Sequence, residues 1–114
     1  MKYCIFLLFL FSVYSQDRTQ DSLRLLLRST GNVAKQTAIL NTLSDSYKTS
    51  DPYAMQSFAK QALQLAKKTG NLKEEIIAYQ NLGASEIILG NYDHALRYFN
   101  LTEQKITNAD CRDI

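Results

Sequence analysis

The chain has 114 residues, with 13 Lys and Arg against 11 Asp and Glu, a net charge of +2. That length admits one small domain at most, and so slight a charge does not mark a nucleic-acid or anionic-membrane binder. One proline, four glycines and a good supply of Leu, Ala, Lys, Gln and Glu favour helix, while heptads are not sustained, which argues against a coiled coil.

Met1-Lys2 is a short basic start, and YCIFLLFLF from Tyr3 to Phe11 is an unbroken apolar run. Ser12-Val13-Tyr14-Ser15 then offers a small residue before Gln16 and the polar stretch QDRTQD. This layout predicts a signal peptide over 1–15, and so an exported protein, periplasmic or secreted. The apolar run is well short of the roughly 20 residues that a spanning helix needs. Cys4 lies at the wrong end of the run for a lipoprotein cysteine. Cleavage would remove Lys2 and Cys4, leaving 12 basic against 11 acidic residues, a charge of +1, and Cys111 as the one cysteine, which cannot form an internal disulfide. Intact-mass analysis after expression in an exporting host should find Gln16, or a residue next to it, at the N-terminus. A cytoplasmic product that keeps Met1 would refute export.

The mature chain reads as five helices, over 16–107, and a tail over 108–114 without periodicity. The first helix covers Asp17 to Ser29, with Leu23, Leu26 and Leu27 inward and Arg24 and Arg28 outward; Gly31-Asn32 ends it. The second runs from Val33 to about Thr49 and turns Ile39, Leu40, Leu43 and Tyr47 inward. Asp51-Pro52 starts the third, an acidic N-cap followed by proline at the first helical position. It buries Met55, Phe58, Ala59, Ala62, Leu63 and Ala66 and stops at Gly70-Asn71. The fourth covers about Leu72 to Leu89, with Ile76, Tyr79, Leu82, Gly83 and Ile87 on one face. Gly90, free to turn left-handed, ends it, and Asn91 or Asp93 caps the fifth, about Tyr92 to Thr107. Ala95, Leu96, Tyr98, Phe99 and Ile106 form the apolar face of that last helix. A glycine inside a helix costs roughly 1 kcal/mol relative to alanine, so Gly83 implies close approach of a second helix, with Ala95 as the matching small residue.

The punctuation repeats. Gly31-Asn32 recurs as Gly70-Asn71 and Leu43-Ser44 as Leu82-Gly83, both after 39 residues, and Ser50-Asp51 recurs as Gly90-Asn91 after 40. Periods of 20–50 residues signal stacked repeats. Tyr79, Leu82, Gly83, Ala95 and Phe99 resemble the tetratricopeptide repeat, with Glu86 where its second aromatic is usual and no closing proline after Ile106. The resemblance implies an all-α fold: antiparallel helix pairs stacked as a short right-handed α-solenoid of about two and a half repeats. The segment SDPYAMQSFAKQALQLAKKTGN, together with the leader, is also similar to the sensory N-terminal regions of Bacteroidetes histidine kinases and helix-turn-helix regulators.

In such repeats the first helix of each pair lines the concave face, so the resemblance places a partner surface at Asn41, Asp45, Lys48, Gln80, Ala84 and Ile87. The expected function is a non-catalytic scaffold for a protein or peptide. The alternative is the sensory part of a signalling protein whose output domain lies elsewhere. Nucleic acid is not expected as a partner, and a membrane only through export or a span downstream. The open end of the fifth helix implies self-association or a further helix.

The residues argue against chemistry. His94 is the one histidine, too few for a metal cluster or a nucleophile-His arrangement, and it reads as a surface residue. Glu74-Glu75 are adjacent and so do not share a helix face; in a first turn both favour the helix dipole, as Lys67-Lys68 do in a last turn. The glycines are singletons, not a phosphate loop. Asn100-Leu101-Thr102 spells a glycosylation triplet but falls inside a helix. Catalytic, metal and cofactor sites are accordingly expected to be absent.

Overall fold

The computed structural model describes residues 18–112, with side chains through residue 109. The expected signal peptide lies outside this range, as do the last two residues of the expected tail. The described chain is all-α. Helix α1 covers residues 18–29, α2 Val33–Ser46, α3 Pro52–Thr69, α4 Leu72–Ile88 and α5 Tyr92–Arg112.

Local chemistry sets the starts and stops. The Asn32 side chain accepts from Lys35 N at 3.1 Å, and Asn71 accepts from Glu74 N at 3.3 Å. Asp51 accepts from both Tyr53 N and Ala54 N at 3.1 Å, with Pro52 beginning α3. Each cap satisfies amide donors that a first helical turn leaves without partners. Gly70 and Gly90 adopt left-handed φ values of 68° and 82°, and the amide after each reaches back into its helix, Asn71 N to Ala66 O and Asn91 N to Glu86 O. That closure needs positive φ, which is why glycine stands at both positions.

Two boundaries differ from the sequence reading. Helix α2 stops at Ser46, and residues 47–50 form turns. There the Ser46 hydroxyl donates to Leu43 O at 2.6 Å and Tyr47 N bonds Ser44 O, three residues back, so the last turn tightens and the α pattern ends. Helix α5 continues to Arg112, through most of the expected tail. The tail lacks apolar periodicity, but no glycine or proline breaks it.

Sequential helices pack against one another, α2 on α3, α3 on α4 and α4 on α5, and α4 also meets α2. Among the described residues the backbone of α5 comes close to that of α4 and not to those of α2 and α3. Neighbours run antiparallel. Tyr47 at the end of α2 stacks on Phe58 near the start of α3, ring centroids 5.7 Å apart. Gln56 near the start of α3 donates to the Glu86 carboxylate near the end of α4. Lys105 of α5 pairs with Glu75 at the start of α4. Helix α1 joins through Leu23 and Leu27, through Gln20 donating to Ser46 O, and through Arg24, which bonds the Tyr47 hydroxyl and lies over its ring.

The core of α2, α3 and α4 follows the expected faces: Ile39, Leu40, Leu43, Tyr47, Met55, Ala59, Ala62, Ala66, Tyr79 and Leu82 are all buried. Phe58 and Leu63 are partly buried against it. Other positions are corrected. Leu26 and Leu96 are exposed, while Gln20 and Thr102 are buried in α1 and α5. On α1 the inward face is Gln20, Leu23 and Leu27, and Leu26 lies one residue, or about 100° of helix, round from it. Ile87 is likewise exposed, so it does not belong to the buried face of α4. At Gly83 the close neighbour is the Phe99 ring: a Cβ there would lie 2.8 Å from Phe99 Cζ.

The sequence period is realised in three dimensions. Asn32 and Asn71, 39 residues apart, cap α2 and α4 in the same way. Leu40 and Tyr79, then Leu43 and Leu82, are buried at the same shift; Met55 and Ala95, then Ala62 and Thr102, are buried at a shift of 40.

Candidate partner-binding surface

The six residues implied by the repeat resemblance fall on α2, its closing turn and α4, helices that pack together. Four of the six are on the surface. Asp45 and Lys48 approach to 3.7 Å, each more than half exposed, a pair that contributes little in water. Gln80 and Ile87 are exposed on α4. Ile87 gives this face an apolar contact point among polar neighbours.

The other two are corrected. Ala84 is partly buried, packed against the cluster of Ile39, Leu43, Tyr47 and Met55. Asn41 is only 3% exposed. Its Nδ2 donates to Glu74 O at 3.0 Å and to the Glu74 carboxylate at 2.8 Å. Asn81 in turn donates to Asn41 O at 3.2 Å, so a polar seam joins α2 to α4. Asn41 Oδ1 is buried with no hydrogen-bond partner among the described residues. The sequence carried one hint of this: Asn41 sits between Leu40 and Leu43, at the edge of an apolar face. Nothing in its own helix indicated that Glu74 would meet it.

The acidic pair at the start of α4 does more than favour the helix dipole. Glu74 receives Asn41, and Glu75, only 7% exposed, makes a 3.2 Å ion pair with Lys105 of α5. Beside that pair is a cleft of about 180 Å³ lined by Gly70, Leu72, Asn108 and Ala109. That is below the roughly 300–1,000 Å³ of small-molecule pockets. Glu86, standing where the repeat pattern has an aromatic, accepts from Gln56, so a polar contact joins α3 and α4 there.

Lys67 lies 5.6 Å from the centroid of the Tyr79 ring. Its pKa is raised, first by a hydrogen bond to the Tyr79 side chain and against a smaller opposing effect of burial. A raised lysine pKa favours the folded state below the ordinary lysine range and loses that effect only as pH climbs through the raised value. The contact therefore does not vary near neutrality.

His94 is exposed at the start of α5. Among the described residues no three His, Cys, Asp or Glu side chains gather as metal ligands, and no helix is long and apolar enough to cross a membrane. Of the six residues, the α2–α4 face exposes one apolar side chain, Ile87, one amide, Gln80, and the Asp45–Lys48 ion pair. Compared with protein-family models, with curated proteins and with solved structures, the chain finds no match.

Proposed function

We propose that the chain is an exported scaffold of tetratricopeptide type, a short right-handed α-solenoid that binds a protein or peptide on its α2–α4 face. The observation that carries this reading is the doubled helix pair. Helices α2 and α4 share caps and buried positions at a shift of 39 residues, and α4 touches α2 as well as α3. Repeats stacked in this way bury one face of each unit against the next and leave a row of first helices open to a partner. The contact set is Asp45, Lys48, Gln80 and Ile87, with Asn41 and Ala84 withdrawn into the packing.

A photo-crosslinking residue at Gln80, introduced in the native host, tests the surface. It should capture a defined partner, and Ile87→Asp should reduce that capture at least tenfold, since a charge replaces the exposed apolar contact. Gln64→Asp, on an exposed position of α3, should leave capture unchanged. Equal loss from both variants, or no partner at all, would overturn the reading.

A further inference from the structure

The slight net charge of the chain is unevenly placed. Because neighbouring helices run antiparallel, the α1–α2 and α3–α4 turns lie at one end of the molecule, together with the last turns of α5, where Lys105 pairs with Glu75. The two turns repeat each other at a shift of 39 residues, Arg28-Ser29-Thr30-Gly31-Asn32 and Lys67-Lys68-Thr69-Gly70-Asn71. Lys35 and Lys73 follow them in α2 and α4, and Arg28, Lys35, Lys67, Lys68 and Lys73 are all exposed. The acidic residues beside them are Glu74, partly buried and bonded by Asn41, and Glu75, paired with Lys105. Six basic against two acidic residues give this end a charge of +4, and Asp110 and Arg112 farther along α5 cancel each other. At the opposite end Asp21, Asp45, Asp51, Glu86 and Asp93 stand against four basic residues, a charge of −1.

Helix electrostatics accounts for part of this. Arg28, Lys67 and Lys68 close their helices, where a cation complements the dipole. Lys35 and Lys73 do the opposite. They stand in first turns, where the dipole disfavours a cation. In α4 the acidic Glu74 and Glu75 offset Lys73, but the first turn of α2 holds no acidic residue. Lys35 thus adds charge to this end against the preference of its own helix, which points to a role outside the fold.

We infer that this end is a docking surface for an anionic phospholipid bilayer. The five exposed cations are spread over the tips of four helices rather than around a groove, which matches a flat surface of distributed negative charge. The cleft at this end is only about 180 Å³ and has Glu75 in its lining. Each basic side chain near an anionic bilayer adds to affinity, and Val33, 40% exposed between Arg28 and Lys35, supplies an apolar side chain for the headgroup layer. A single-stranded nucleic acid fits less well, because the exposed aromatics Tyr53 and Tyr92, which could stack on bases, stand at the opposite end. Docked in this way the helices stand end-on to the bilayer, and Asp45, Lys48 and Ile87, near the far ends of α2 and α4, stay clear of it.

Co-sedimentation with lipid vesicles tests this on the whole chain, expressed with its N-terminal segment so that the host's processing sets the N-terminus. The vesicles are phosphatidylcholine alone, or phosphatidylcholine with about one-third phosphatidylglycerol. The chain should pellet with the anionic vesicles and not with the neutral ones. It should be released as added salt shortens the Debye length from about 8 Å to about 3 Å. Lys35→Glu should weaken binding at least about tenfold, while its melting temperature stays the same or rises, because an acid suits a first turn. Lys68→Gln, at an exposed position, should weaken binding several-fold. Arg97→Glu makes the same change in net charge as Lys35→Glu at an exposed position of the other end, and should leave binding nearly unchanged. Equal binding to both kinds of vesicle overturns the inference, and so does equal loss from Lys35→Glu and Arg97→Glu. Polyglutamate or a mixed-sequence DNA duplex bound as tightly as the anionic vesicles would overturn the choice of a bilayer.

Discussion

Asn41→Asp is expected to destabilise the protein by about 3–5 kcal/mol at neutral pH, the range for an uncompensated buried charge. The natural side chain points an amide donor at the Glu74 carboxylate from 2.8 Å, in a residue 3% exposed. The substitution replaces that donor with a second carboxylate. Two such groups cannot both ionise at this distance, and burial adds to the penalty, so the introduced carboxyl has a folded-state pKa above its unfolded value. The sign follows. A group with a raised folded pKa binds protons more tightly when folded, so the destabilisation is full above the raised pKa and fades as pH falls toward the ordinary carboxylate range. Asn41→Leu is the comparison. It loses the two bonds to Glu74, but it also removes the unpartnered Oδ1, and the half-buried Glu74 can turn toward water. Its cost should be smaller, about 1–2 kcal/mol, and nearly independent of pH. Urea unfolding at pH 7 and pH 5 distinguishes the two. Equal, pH-independent losses would mean that the seam between α2 and α4 does not hold the Glu74 carboxylate as described.

Gly83→Leu should cost about 1–3 kcal/mol, the usual effect of overpacking. A Cβ at Gly83 would already lie 2.8 and 2.9 Å from Phe99 Cζ and Cε1, closer than van der Waals contact allows. Leucine must therefore displace the ring. Alanine is the balanced case: it gains about 1 kcal/mol of helix propensity and pushes a ring of a residue that is 37% exposed. Ala34→Leu, at an exposed position in the first turn of α2, serves as the control and should change stability little. Urea midpoints at unchanged slope give the comparison. Phe99→Ala in the Gly83→Leu background should recover part of the loss, because the added side chain then enters the space the ring vacated. Purely additive losses from the two substitutions would show that they do not share a contact.

These two sites also mark where sequence reasoning stops. Asp51-Pro52, Asn32, Asn71, Gly70 and Gly90 bounded the helices from the sequence because a cap or a left-handed closure involves only atoms within a few residues of one another. The 39–40 residue period was legible for the same reason, since it is a recurrence of local signals. The inward faces of α2 and α3 followed from helical periodicity, given only that some apolar core exists. Other features depended on what lies across an interface. Three consecutive leucines in α1 offered two competing faces, and only the neighbouring α2 and α3 selected Leu23 and Leu27 over Leu26. Gly83 announced a close approach without naming Phe99 as the group that fills it. Asn41 looked like a surface residue by type, and became a buried one because α4 presents Glu74 and Asn81 to it from 33 and 40 residues away. Hydrogen bonds within a helix turn are short-range and readable from order alone, whereas pairing across helices depends on relative placement, which the tertiary packing decides.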